Sequence, residues 1–339
     1  MTLVETRLLG VDLEIRDVVQ ETQDAVSIVF DADLPYKPGQ FLTLRIPSEQ
    51  TGFVARCYSL ASSPATGSTL EVTVKRTRAG YGSNWLCDNA KAGMTLRVLP
   101  PSGTFTPDSF DHDLVLFAGG SGITPIMSIL RTALATSDAH VAVFYANRDR
   151  ESVIFDHELE RLESRHPDRL RVEHWLESDR GIPSPAGLLD FASSTTDRHA
   201  FICGPGPFMS AVEDVLQELG VPNGNVHVER FASLSGDPFT LAIDTPQTES
   251  SSTVSVELDG EQHTLAWPSE STLIDVLITA GVDAPYSCRE GECGSCACIL
   301  RRGTVDPGTN SALTPEDVDD GYILACQAKP TSPNLEVEF

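Results

Sequence analysis

The chain has 339 residues, with 24 Lys plus Arg against 49 Asp plus Glu, a formal net charge of −25 and a mean hydropathy of −0.10. That length exceeds one small core and predicts two or three domains. The charge would repel nucleic acid, no apolar run is long enough to span a membrane, and MTLVETRLLGVDLEIRD carries acids where a signal peptide needs cations, so a cytoplasmic protein is expected.

Residues 1–110 alternate in the manner of strands. VSIVF, FLTLRIP, LEVTVKR and TLRVLPP are short, β-branched and separated by turns such as KPGQ and PSG, which predicts an antiparallel β-barrel. Within it, ARCYSLASSP (55–64) places Arg56, Tyr58 and Ser59 on one strand. The arginine suits a phosphate and Tyr58–Ser59 the flank of a ring system, although an ordinary strand reads the same way. GYGSNWL (80–86) offers backbone N–H groups and the Ser83 hydroxyl ahead of a short helix, a second phosphate cradle.

The pattern changes at about 113. LVLFAGG is a continuous apolar run, as in a strand buried on both faces. PIMSILRTAL has helical spacing, and VAVFYA, FDHELERLES, RVEHWL, AFICG and PFMSAVEDVLQELG continue the alternation, predicting a parallel α/β sheet over 111–235. In FAGGSGITPIM (117–127), Gly119, Gly120 and Gly122 permit close backbone approach, Thr124 is expected to cap the helix and Pro125 to open it. Helix N-termini of this kind attract phosphate. The string is not the dinucleotide GxGxxG, since Pro125 replaces the third glycine, and a plain tight turn explains it equally. CGPGPFM (203–209) repeats the arrangement at a later strand end, where open parallel sheets bind ligands. Cys203 itself also reads as a small core residue.

Residues 236–252, GDPFTLAIDTPQTESSS, are expected to be a linker with a flexible end, although FTLAI suits docking on a neighbour. The segment 253–339 follows, with TVSVELDG and HTLAWP as a hairpin, STLIDVLITAG as a helix, and then PYSCREGECGSCACIL.

That last string decides the chemistry. Cys57, Cys87 and Cys203 are isolated, whereas five cysteines lie after residue 287, which in a reducing compartment points to metal or redox chemistry. Cys288-x4-Cys293-x2-Cys296, completed by Cys326, is the plant-type [2Fe–2S] spacing. Gly291 and Gly294 supply unusual backbone angles for a loop that curls round a cluster. Cys298 falls outside the spacing and is expected to be a buried, non-ligating thiol. Zinc also takes four thiolates, but zinc sites more often pair two CxxC knuckles. Glu290, Glu292, Glu316, Asp317, Asp319 and Asp320 flank the ligands as an acidic docking face or as plain solvated surface. The eight histidines are scattered and suggest no metal-ligand pair.

Together RCYSL, GYGSNWLCD, GGSGITP, CGPGP, VHVERF and CREGECGSC resemble the ferredoxin–NAD(P)+ reductase family fused to a C-terminal plant-type ferredoxin. The sub-family likeness, carried by VTVKRTRAGYGSNWLCDN and RCYSLASSP, is to FAD-containing reductases of the 3-ketosteroid 9α-hydroxylase type, with phenylacetyl-CoA epoxidase reductases close by. The resemblance implies a flavin barrel, an NAD-binding α/β domain and a β-grasp ferredoxin domain. It places Tyr58 against the flavin ring with Ser59 beside it, Arg56 on the phosphates, Val74, Lys75 and Arg76 on the adjoining flavin strand, and Gly82, Ser83 and Asn84 round the pyrophosphate. It assigns Gly120 and Thr124 to one nicotinamide-side loop and Cys203, Gly204 and Pro205 to the other. Glu229 and Phe231 would close over the flavin. Arg148 would meet a 2′-phosphate and Asp149 oppose it; the likeness favours NADH.

On this reading NADH gives two electrons as hydride, the cluster takes one at a time, and FAD stands between because it does both. Plant-type clusters lie near about −400 mV and Rieske centres at about −150 mV or higher. One electron gains on the order of 250 mV, about four decades in equilibrium constant, on passing to a Rieske oxygenase. The expected function is therefore an NADH-dependent oxygenase reductase. The alternatives are a reductase for a CoA-thioester epoxidase or di-iron hydroxylase, and a ferredoxin-like binding module whose flavoprotein part is inactive.

Overall fold

A computed structural model describes residues 5–67, 69–231, 233–243 and 251–339. Its N-terminal portion contains β1 (Glu5–Leu8), β2 (Val11–Thr22), β3 (Ala25–Phe30), β4 (Phe41–Ser48), β5 (Gly52–Ser59), β6 (Leu70–Lys75), α1 (Tyr81–Asn89) and β7 (Thr95–Val98). A six-stranded antiparallel sheet runs in the order β5-β4-β7-β2-β3-β6. Its two edges meet at one bridge, Leu60 with Val72, beside which the Ala61 N–H donates to the Glu71 carbonyl (2.7 Å). Period-two alternation explains the interior. Val26, Ile28 and Phe30 of β3 point into the core with Leu42, Leu44 and Ile46 of β4, while Ser27 turns the other way and bonds the Thr73 hydroxyl at 2.8 Å.

Next come β8 (Leu114–Gly119), α2 (Ile123–Thr136), β9 (Val141–Asn147), α3 (Asp156–Arg165), β10 (Leu170–Leu176), α4 (Glu177–Arg180), α5 (Pro185–Ala192), β11 (His199–Cys203), α6 (Gly206–Glu218) and β12 (Val226–Glu229). The parallel sheet has the order β10-β9-β8-β11-β12. The strand order reverses between β8 and β11, so the loops after these two strands flank the topological switch point. Helix α2 docks on the first sheet. Its Arg131 donates to the Ala61 carbonyl (2.8 Å) and pairs with Glu71 (2.9 Å), and Thr132 shares a 2.8 Å hydroxyl contact with Ser63.

Strand β13 (Thr240–Ile243) lies within the span expected to be a linker and pairs antiparallel with β1. Leu234, Phe239 and Leu241 are buried, so this stretch is pinned by apolar contact rather than loose. The Ser/Thr/Gln/Glu tract expected as flexible falls largely on 244–250, outside the described residues.

The C-terminal portion holds β14 (Ser251–Leu258), β15 (Glu261–Pro268), α7 (Leu273–Ala280), β16 (Ala297–Arg302), β17 (Val305–Asp306), α8 (Pro315–Asp319), β18 (Tyr322–Leu324), β19 (Lys329–Pro330) and β20 (Asn334–Glu338). A mixed five-stranded sheet, β15-β14-β20-β16-β18, carries α7 on one face. Thr272 caps α7 by accepting from the Asp275 N–H, and Gly281 ends it at φ 77°, the left-handed conformation glycine adopts without cost. The core beneath is shared between portions. Leu9, Ala55, Leu99, Phe239 and Leu241 pack in one cluster with Trp267, Leu273, Leu277, Cys288 and Cys326.

Candidate electron-transfer site

The cysteine loop curls as expected, through Gly291 at φ 79° and Gly294 at φ 70°. A Cβ on Gly291 would lie 2.4 Å from the Thr309 carbonyl oxygen, so the loop requires glycine there. Arg289 also adopts a left-handed φ of 58°, which sequence reasoning missed because no glycine marks it. An ion pair with Asp275 and a 2.8 Å bond to the Thr240 carbonyl hold it there.

Cys288, Cys296 and Cys326 are buried, and Cys293 is partly exposed. Their thiols neighbour one another. Cys293 and Cys326 pull the Cys288 thiol down in pKa, whereas Cys288 and Cys296 push the Cys326 thiol up. The Glu290 N–H approaches Cys288 Sγ at 3.4 Å, and Gln327 Nε2 approaches Cys326 Sγ at 3.5 Å. Among the described residues no three His, Cys, Asp or Glu side chains converge on a single-ion site. A two-iron cluster asks for another arrangement, four thiolates shared between two metals within a pocket that supplies N–H groups to sulfur. The four cysteines fit that requirement. Cys298 stays apart on β16, with its thiol on the Ile323 carbonyl at 3.8 Å and burial raising its pKa.

On β5, burial raises the Tyr58 phenol, and Arg56 Nη1 donates to the Ala55 (2.6 Å) and Leu234 (3.0 Å) carbonyls. Gly82 completes this corner. A Cβ there would lie 2.9 Å from Arg56 Cγ, 3.0 Å from Ile46 Cδ1 and 3.6 Å from the Tyr58 hydroxyl. Gly82, Ser83 and Asn84 lie inside the first turn of α1 rather than ahead of a helix; the Gly82 and Ser83 N–H groups belong to the open helix start, while the Asn84 N–H already donates to the Gly80 carbonyl (3.3 Å). The Ser83 hydroxyl accepts from the Thr77 N–H (3.1 Å), and the Asn84 amide donates to the Gly80 carbonyl (2.7 Å), holding the turn.

The neighbouring strand sends its three side chains in different directions. Val74 is buried in the sheet core, and Arg76 pairs with Asp88 at 2.6 Å on the surface. Lys75 reaches towards the parallel sheet instead, and its Nζ would lie 3.3 Å from a Cβ on Gly120. Burial, then the Arg148 guanidinium, lower its pKa.

At the switch point the two glycine loops abut. A Cβ on Gly122 would fall 2.1 Å from the Cys203 carbonyl oxygen, and one on Gly119 would fall 2.7 Å from Pro205 Cδ. A 3-10 turn over Gly120–Gly122 starts the helix earlier than the sequence suggests. Thr124 is therefore its second residue and donates to the Ser121 carbonyl (3.0 Å) instead of capping, and Pro125 is its third residue. A cleft of about 360 Å³ opens here, lined by Lys75, Gly120, Asn147, Arg148, Pro205 and Phe208. Asn147 is buried on its wall with both amide atoms unpartnered among the described residues, which fits a polar nucleotide. Arg148 bonds Asp149 (2.7 Å), which caps the next turn. Cys203 is a buried thiol whose pKa burial raises.

A second cavity, about 190 Å³, is lined jointly by Phe41, Cys57 and Ser59 of the first sheet, by Glu229 at the end of β12 and Phe231 just beyond it, and by Cys293 and Gly294 of the cysteine loop. Phe231 is 53% exposed beside it, an aromatic ring with room to cover a planar group. Burial pushes the Glu229 carboxyl up to about 7.

Three family models match along the chain: an oxidoreductase FAD-binding domain at 14–106, an oxidoreductase NAD-binding domain at 116–214 and a 2Fe-2S iron-sulfur cluster binding domain at 256–331. The chain is 53% identical to the 3-ketosteroid-9-alpha-monooxygenase, ferredoxin reductase component, of Mycobacterium tuberculosis, over 97% of this chain and 95% of that one. It belongs to the ferredoxin–NAD(P)+ reductase family, in the branch with a C-terminal plant-type ferredoxin domain. It is also 32% identical to one component of the 1,2-phenylacetyl-CoA epoxidase of Escherichia coli, over 96% of this chain and 97% of that one. Among solved structures it resembles phthalate dioxygenase reductase, with a TM-score of 0.59 and 25% identity over 97% of this chain and 98% of that chain. The protein is thus an oxidoreductase with FAD-, NAD- and [2Fe–2S]-binding domains. No helix among the described residues is long and apolar enough to cross a membrane.

Three of the acids flanking the ligands have partners within the chain. The Glu290 carboxylate accepts from Ser235 and Gly236, Asp317 closes a capping box with Thr314, and Glu292 accepts from the Ser311 hydroxyl at 3.2 Å.

Proposed function

We propose that this protein is the NADH-dependent reductase component of a multicomponent oxygenase, passing electrons singly to a Rieske-type terminal oxygenase that hydroxylates a 3-ketosteroid. The observation that carries the reading is the shared cavity, which sets Ser59 of the Arg56–Tyr58–Ser59 strand and Cys293 of the cysteine loop on the same small space. Bound FAD would supply the conversion of a hydride's electron pair into single electrons.

The chain's residues then divide the work. Residues 1–110 hold the flavin through Arg56, Tyr58, Ser59 and the α1 start at Gly82–Asn84. Residues 111–235 hold NADH through the loops at Gly120–Thr124 and Cys203–Pro205, with Lys75 added from the neighbouring sheet. Glu229 and Phe231 cover the flavin, and residues 253–339 bind the cluster by Cys288, Cys293, Cys296 and Cys326. None of the eight cysteines is joined in a disulfide, which supports a reducing, cytoplasmic setting.

Reconstitution tests the proposal. The holoprotein, NADH, dioxygen, a purified Rieske oxygenase and a 3-ketosteroid should give hydroxylated product and water. Efficient NADH-driven ferricyanide reduction with no product from any Rieske partner, but product with a di-iron epoxidase and an acyl-CoA, would move the assignment to the second reading that the Escherichia coli relative supports.

A further inference from the structure

Two consecutive residues of the cysteine loop grip the chain that leads into the ferredoxin portion. Arg289 donates to the Thr240 carbonyl at 2.8 Å. Glu290 faces Ser235 and Gly236. The Ser235 N–H donates to both Glu290 carboxylate oxygens at 3.1 Å, its hydroxyl donates to Oε1 at 3.3 Å, and the Gly236 N–H also donates to Oε1. A Cβ at Gly236 would lie 2.6 Å from Glu290 Oε1, so the fit excludes a side chain there unless the carboxylate moves. Hydrogen bonds to an ionised acceptor are roughly twice as strong as neutral ones.

The same short stretch is held from its other side. Arg56 of β5 donates to the Leu234 carbonyl at 3.0 Å, and Leu234 itself is buried. Slightly upstream, Glu229 and Phe231 line the cavity that also meets Ser59 and Cys293. Glu290 stands between Cys288 and Cys293 in the chain, and its own N–H approaches Cys288 Sγ at 3.4 Å. Leu234 is therefore tied to the Arg56 strand, and the next two residues are tied to the cysteine loop.

We propose that Glu290 is a positioning residue whose carboxylate latches the cysteine loop onto Ser235 and Gly236 and so sets the separation across which electrons pass from flavin to cluster. The inference rests on the flavin-to-cluster reading above and adds a residue that governs that step. Glu290 touches neither nucleotide loop, so hydride transfer from NADH should not depend on it.

The test compares holoprotein carrying Glu290→Ala or Glu290→Gln with the wild type. Anaerobic stopped-flow mixing with NADH follows flavin bleaching and cluster reduction separately, and hydrogen exchange follows the Ser235 and Gly236 amides. In Glu290→Ala, flavin reduction should keep its wild-type rate while cluster reduction slows by about tenfold, equivalent to about 1.4 kcal/mol in barrier height. Both amides should exchange faster, with iron content and the cluster's electron paramagnetic resonance signal unchanged. Glu290→Gln keeps one acceptor oxygen and should fall between; it decides the matter alone if the alanine variant does not fold. Unchanged amide protection and unchanged cluster reduction would overturn the latch, as would equal slowing of both steps, which marks a general structural role. Wild-type protein whose flavin is reduced while its cluster stays oxidised would instead sink the underlying reading, a failure separable from one confined to the variants.

Discussion

Thr43 on β4 and Ser287, the residue before Cys288, share a buried 2.7 Å hydroxyl–hydroxyl hydrogen bond across the boundary between the first sheet and the ferredoxin portion. Thr43 Oγ1 also lies 3.3 Å from Cys57 Sγ, and burial pushes the Cys57 thiol up to about 12. Thr43→Val leaves the Ser287 hydroxyl buried and unpartnered, a loss of about 1–3 kcal/mol. Calorimetry of the holoprotein should show a lower thermal midpoint; an unchanged midpoint would mean that the bond carries no weight.

Removing one thiolate should separate the two halves of the electron path. Cys326→Ser should lose iron and acid-labile sulfide, and with them cytochrome c reduction, yet keep NADH-driven ferricyanide reduction through the flavin. Loss of both activities in a folded variant would contradict the modular division of labour.

Gly122→Ala tests the contact between the nucleotide loops. The added methyl would meet a backbone oxygen, the Cys203 carbonyl at 2.1 Å, which cannot swing aside as a side chain can. The KM for NADH should rise on the order of tenfold, equivalent to about 1.4 kcal/mol, with flavin content retained. Kinetics indistinguishable from the wild type would show that the two loops need not touch.

Glu229 should leave a signature in the pH dependence of stability. Its carboxyl rises from an ordinary 4.5 to about 7 on folding because burial disfavours the charge. Below 4.5 folded and unfolded states both hold the proton. Between 4.5 and about 7 only the folded state does, so stability contributed by this group falls as pH rises through that window and is lost above it. Glu229→Gln should flatten that part of the curve and raise stability above pH 7, as read by thermal melts at successive pH values. An unaltered slope would show that Glu229 does not titrate there.

Much of this was legible because period and spacing are local properties. LVLFAGG gave a strand buried on both faces, and the four-cysteine spacing picked out the thiols that meet, with Cys298 outside them. What escaped depends on contacts distant in sequence. Lys75 reads as part of a strand beside Val74 and Arg76, and only the docking of α2 on the first sheet turns it towards Gly120. FTLAI suits docking on a neighbour, but no local pattern tells that the neighbour is the edge of β1. The histidines looked scattered, but adjacent parallel strands stack His199 against His227 at 6.1 Å, with His112 at 5.0 Å on the other side. Arg289 adopts a glycine-like φ because Asp275 and Thr240 hold it, a compensation invisible in the string CREGEC.

The packing of Leu9, Ala55 and Leu99 with Trp267 and Leu277 has a consequence for taking the protein apart. Excising the iron–sulfur module would strip cover from both pieces, each keeping an oily scar where the other had been. Urea should therefore melt them together rather than in succession, and a module cut free in this way should clump rather than serve as a mobile courier.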